Sequence, residues 1–123
     1  MKTASYFTFN GPGRIGISLG APRGIKVGYR MFRKLAPTRG ILDLDEPTYR
    51  EAFFRDILGP LDPKQITREL HDLAGGFEPV LLCFEKPPFT PTNWCHRRMV
   101  AEWFQQELGL DGPEYGVTAD LFR

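Results

Sequence analysis

Pro79-Val80-Leu81-Leu82-Cys83-Phe84 restricts the fold of this chain more than any other stretch. A strand with one wet face alternates polar and apolar residues, whereas a nearly unbroken apolar run fits a strand covered on both faces, as in a mostly parallel sheet. After a loop, Lys86 to Trp94, that is broken by prolines, Val100, Trp103, Phe104 and Leu108 recur at helical spacing until Gly109 closes the helix. A buried strand followed by an amphipathic helix is half of a βα unit, and it predicts an α/β domain.

Upstream, Ala4 to Phe9 is short, aromatic and β-prone, and Asn10-Gly11-Pro12-Gly13 ends it as a turn. Alternation through Ile15, Ile17 and Leu19 predicts a second strand over Arg14 to Leu19, stopped by Gly20-Ala21-Pro22-Arg23-Gly24. Ile25 to Leu44 is basic, breaks at Pro37 and Gly40, and reads as an irregular excursion. A helix is expected from about Pro47 through Leu58, stopped by Gly59-Pro60. Another is expected from Asp62, a capping residue, with Pro63 in its first position and Ile66, Leu70 and Leu73 on its apolar face until Gly75-Gly76. His71 falls off that apolar face and reads as a solvated helix histidine. Asp111 to Tyr115 offers one last short strand, and residues 116–123 a C-terminal tail.

At 123 residues, 41% of them hydrophobic and 25% charged, the chain suits one domain over residues 1–123. With 16 Lys and Arg against 15 Asp and Glu, bulk charge gives no attraction to nucleic acid or to an anionic membrane, so any such attraction is local. The local candidate is the first third, where Arg14, Arg23, Lys26, Arg30, Arg33, Lys34 and Arg39 precede the first acidic residue, Asp43. Such a run suits a phosphate-bearing partner, or it is a solvated face balanced elsewhere in the fold. No stretch approaches the ~20 apolar residues of a membrane span, and Met1 to Ser5 does not open a signal peptide. Two cysteines without an export signal point to free thiols and the cytoplasm.

The chemistry gathers where strand turns to helix. Ligand sites in open α/β sheets lie beyond the carboxyl ends of the strands, which is where Glu85 and Cys95 fall. A cysteine in the first turn of a helix, beside His96, Arg97 and Arg98, faces unpaired N–H groups and positive charge, both of which favour its thiolate. The same N–H groups and guanidiniums bind a phosphate or carboxylate without any nucleophile. Cys95 therefore has three readings: a nucleophile, a metal ligand with Cys83, His96 and His71, or a capping and packing residue shaping an anion pocket. With two cysteines, two histidines and no Cys-x-x-Cys pair, no metal and no cofactor are expected. Cys83 reads as a buried apolar residue. Glu85, two residues on and on the same face of the strand, is expected to form a bidentate pair with Arg97 or Arg98, or to act as general acid or base. Phe89 and Trp94 in the intervening loop either stack on a base or cover the core.

Leu81-Leu82-Cys83-Phe84-Glu85-Lys86 followed by Cys95-His96-Arg97-Arg98 and Val100-Ala101-Glu102-Trp103 resembles the family catalogued as domain of unknown function 488, whose hallmark is a strand ending Cys-x-Glu and then Cys-His-Arg at a helix start. Ala21-Pro22-Arg23-Gly24, Leu35-Ala36-Pro37 and Tyr49 fit the same pattern. The resemblance implies a Rossmann-like α/β domain without a settled activity and nominates Arg23, Cys83, Glu85, Cys95, His96 and Arg97. The loop before Cys95 is longer than that pattern, and Phe53 or Phe54 stands where a second tyrosine is common.

The resulting expectation is a single three-layer, Rossmann-like α/β domain with a mainly parallel sheet. Cys95, Glu85 and His96 are its catalytic candidates, and Arg23, Arg97, Arg98 and Trp94 its anion and ligand contacts. Its expected role is recognition or processing of a phosphate-bearing ligand, a nucleotide or nucleic acid, with no membrane partner. The alternatives are a noncatalytic accessory module with a structural Cys-His-Arg cluster, and a thiol-dependent redox or sulfur-transfer enzyme.

Overall fold

The apolar run becomes the interior of a sheet. The computed structural model describes residues 1–25 and 28–117. Strand β4 (Val80–Cys83) lies between β1 (Lys2–Ser5) and β2 (Arg14–Gly16), and β3 (Arg30–Met31) completes the order β1-β4-β2-β3 with every pairing parallel. The register sets Thr3, Leu81 and Ile15 on one rung and Ala4, Leu82 and Gly16 on the next. The two rungs point to opposite faces, so both faces of β4 are buried.

Ile15, Ile17 and Leu81 point toward the helices: α1 (Glu46–Ala52), α2 (Pro63–Ala74) and α3 (His96–Leu108). Tyr49, Phe53, Leu70, Val100 and Phe104 fill the space between. The opposite face carries Ala4, Tyr6, Val80 and Leu82 beneath Phe9, Ile25 and Tyr29, so among the described residues loops, rather than helices, make the third layer. Gly16 is needed there, because a Cβ at this position would clash with the Tyr6 hydroxyl. The bare backbone lets Tyr6 cross β2 and bond Ser18 Oγ at 2.7 Å.

Helix boundaries follow the caps. Asp45 accepts from Thr48 N and Asp62 from Lys64 N, each with a proline in the first turn, while Gly75 and Gly109 end α2 and α3 in the left-handed region. The helix expected from Pro47 to Leu58 is present, but its second half, Phe53–Leu58, widens into a π turn that closes on Gly59. The wide turn buries Phe53 and Leu58 together.

Three expectations are corrected. The first strand is Lys2–Ser5 and not Ala4 to Phe9, because Ser5 Oγ accepts from Phe7 N and turns the chain out of the sheet. The second is Arg14–Gly16, with Ile17 N still bonded to Leu82 O before Ser18 turns back onto Gly20 O. The last strand shrinks to one parallel bridge, Thr3 with Glu114. The excursion over Ile25 to Leu44 is mostly irregular, as expected, with β3 and two single 3-10 turns in it. Lys26 and the end of the expected tail, residues 118–123, lie outside the described residues. Among the described residues no helix is long and apolar enough to cross a membrane.

Candidate functional site

Adjacent strands β2 and β4 send the chain in opposite directions. After β2 it runs to β3 on one side, and after β4 it runs through α3 to Glu114, which bridges Thr3 at the other edge of the sheet. Outgoing connections that diverge in this way leave a crevice at the carboxyl ends of the two strands, the switch point at which open α/β sheets take ligands. A cavity of about 550 Å³ lies here. Ser18 to Ala21 after β2, Cys83 to Glu85 from β4, and Cys95 and His96 from α3 form its polar end, while Tyr49, Leu42, Pro37 and Trp94 supply apolar walls.

At the polar end, Cys83 Sγ lies 3.5 Å and Cys95 Sγ 3.9 Å from His96 Nδ1. Glu85 Oε2 lies 3.7 Å from Cys83 Sγ, which donates to it. The other ring nitrogen of His96, Nε2, meets the carbonyl of Ile17 at 2.6 Å. A carbonyl only accepts, so Nε2 carries the proton and Nδ1 turns its lone pair toward the sulfurs. The Phe53 ring packs edge-on against the imidazole, with centroids 5.4 Å apart, and stacks on Tyr49 on its other side. Tyr49 also meets Trp94 edge-to-face at 4.8 Å. Burial, reinforced by the neighbouring Cys83, Cys95 and Glu85, raises the pKa of the Tyr49 phenol and keeps it protonated.

The sequence-nominated residues divide here. Cys95, Glu85, His96 and Trp94 share the cavity, joined by Cys83, which the strand pattern alone had placed in the core. Arg97 and Arg98 turn away from it. The bidentate pair expected with Glu85 is made with Glu114 instead: Arg97 Nε and Nη2 donate to its two carboxylate oxygens at 2.9 and 2.8 Å, and Nη2 also reaches the backbone carbonyl of Glu85. Both side chains are wholly buried, and the guanidinium lies over the Phe89 ring. Burial opposes the Arg97 charge, but the Glu114 hydrogen bonds and the acidic neighbours outweigh it and raise the pKa. Arg98 is spent on Thr3 Oγ1 and the Gly112 carbonyl. Arg23 is exposed on the turn just beyond Ala21 and does not line the cavity. His71, on α2, bonds its own helix at Thr67 O and lines a separate small cavity.

Cys95 is the residue immediately before α3, and its side chain makes no capping hydrogen bond, so the capping part of that reading is corrected, while the thiol is buried and packs in the cavity wall. The activated thiolate is corrected too. Burial, then the hydrogen bond and charge of Cys83, push the Cys95 thiol well above the ordinary range, and the opposing hydrogen bond and charge of His96 do not offset them. Alkylation of Cys95 by iodoacetamide, followed by mass spectrometry, is accordingly expected to run far slower than for a free cysteine peptide at pH 7 to 8.5 and to rise only in more alkaline solution. A rate matching or exceeding the peptide's at pH 7 contradicts this. The folded state holds this proton more tightly than the unfolded chain, so the contribution to stability is present at neutral pH and is lost as pH rises past the unfolded thiol's ~8.5.

Comparison with protein-family models, with curated proteins and with solved structures finds no match, so the site is read from its own geometry.

Proposed function

We propose that the cavity at the β2–β4 switch point binds a small phosphate-bearing molecule of nucleotide size. The observation that carries this reading is position: the cavity sits where two parallel strands part, with the amino terminus of a 13-residue helix opening beside it and no side-chain cap on that terminus. In this reading the first N–H groups of α3 meet the phosphate. Glu85, at the end of β4, accepts from a sugar hydroxyl, and Trp94 covers a flat ring. Arg97 and Arg98 have no part in it, which narrows the anion contacts to backbone donors and to whatever Arg23 reaches from its exposed turn.

The test is a thermal-shift panel of nucleoside mono-, di- and triphosphates, the parent nucleosides and inorganic phosphate. A binder at 100 times its Kd stabilises the fold by about 2.7 kcal/mol, and Trp94→Ala is expected to abolish that response while keeping the circular dichroism of the parent. A flat response across the panel overturns the reading. One observation favours the accessory module instead: the arginine of Cys-His-Arg is wholly buried on Glu114 and acts structurally. That module predicts the flat response.

A further inference from the structure

From the Cys83, Cys95 and His96 geometry we infer that the polar end of the cavity is a zinc site, with the two thiolates and His96 Nδ1 as ligands and its fourth position open to the cavity. The ligating atoms of these three residues all lie within 4.8 Å of one another, and all three side chains are buried. Tetrahedral zinc with Zn–S of about 2.3 Å and Zn–N of about 2.0–2.1 Å separates sulfur from nitrogen by roughly 3.5 Å and sulfur from sulfur by roughly 3.8 Å. The observed 3.5 and 3.9 Å from Nδ1 to the two sulfurs fit such an edge, and with all three atoms within 4.8 Å the sulfurs need to draw together by no more than about 1 Å to hold the ion.

The second observation is the imidazole's outer contact. Ligating histidines usually donate their other N–H to a carboxylate or carbonyl, which fixes the tautomer and aims the lone pair. His96 makes that bond to Ile17 O, at the carboxyl end of β2, while β4 and the start of α3 bring the sulfurs. Three separate elements thus converge on one point. Two thiolates and an imidazole are a soft set that suits zinc and its cobalt analogue and does not suit magnesium or calcium, which take oxygen.

Charge also closes. Two thiolates neutralise a divalent ion, and coordination removes their protons without needing a cationic side chain nearby. Glu85 Oε2, 3.7 Å from Cys83 Sγ, stands near the cavity side of the cluster as a hydrogen-bond acceptor for a water bound at the fourth position. His71, the other histidine, is remote from the cluster and takes no part. This inference stands on the donor geometry and does not depend on the phosphate reading.

The probe is cobalt(II), titrated under reducing, oxygen-free conditions into protein first dialysed against a chelator, with no nucleotide present. The result expected is one cobalt per chain with the intense visible bands of a tetrahedral centre and a thiolate-to-cobalt charge-transfer band, all removed by one equivalent of zinc. Cys83→Ser, Cys95→Ser and His96→Gln each lose the charge-transfer band or the tetrahedral pattern, and His71→Ala leaves both unchanged. Because a buried variant can misfold, the unmodified protein supplies a second reading: the slow reaction of the two buried thiols with a chromogenic disulfide reagent, followed to completion at pH 9, is slowed further by zinc and returns to the metal-free rate on adding the chelator. Absence of the charge-transfer band together with unchanged thiol reactivity on adding zinc overturns the site. So does a full cobalt spectrum in folded Cys83→Ser or Cys95→Ser.

Discussion

Glu114→Gln is expected to cost the fold about 3–5 kcal/mol, among the largest losses that one side-chain change can produce here. The substitution keeps the shape of the residue and removes its charge, leaving the wholly buried Arg97 guanidinium without an anion. It also weakens the hydrogen bond from Thr3 Oγ1 and loosens the segment that Glu114 pins to β1. Arg97 has little slack, since among the described residues its Nη1 has no hydrogen-bond partner and its guanidinium lies over the Phe89 ring. Breaking a buried pair from one side is costly because the partner stays charged, whereas replacing both members by apolar residues is often neutral. Arg97→Met with Glu114→Leu is therefore expected to recover most of the loss. Equilibrium urea unfolding checks both, and Glu114→Gln within 1 kcal/mol of the parent contradicts the account.

Phe53→Ala is expected to be as damaging, about 3–5 kcal/mol, since it empties a wholly buried ring site at the start of the π turn. The ring joins the core to the site: it stacks on Tyr49 in the cavity wall and meets His96 edge-on. Its loss should lower the denaturation midpoint and also weaken ligand and metal binding by freeing the imidazole. Phe54→Ala, at a partly exposed neighbour lying under Arg50, should cost visibly less and leave the site intact. Equal losses at the two positions would contradict the assignment of Phe53 to the core.

Much of this was legible in local sequence. The apolar run around Leu81 and Leu82 pointed to the buried strand, and Asp62-Pro63 with Gly75 and the spacing of Val100, Trp103 and Phe104 before Gly109 bounded two helices nearly to the residue. Glu85, Trp94, Cys95 and His96 were drawn to one place because a strand end and a helix start must meet there. What was not legible depends on partners distant in sequence. Charge alone could not say that Arg97 would choose Glu114, 17 residues away, over Glu85, or that Arg98 would be held by Thr3 and Gly112. Nor could it say that a carbonyl at Ile17 would fix the tautomer of His96. Sequence alone reads Cys83 as packing, because a thiol in an apolar run is ordinarily a small hydrophobe. Its period-two relation to Glu85 was the available sign that it faces the strand-end crevice. Tyr49 and Ser18 carry no such sign, since their place at the cavity follows from how α1 and the β2 loop close over it.

The most direct measurement is anomalous diffraction at the zinc absorption edge from crystals of the reduced protein grown with zinc. The account predicts a single strong peak at the β2–β4 switch point, about 2.3 Å from Cys83 Sγ and Cys95 Sγ and about 2.0 Å from His96 Nδ1, with its remaining position facing the cavity. Reduced sulfurs with no peak between them, or zinc bound only elsewhere on the protein, would contradict it.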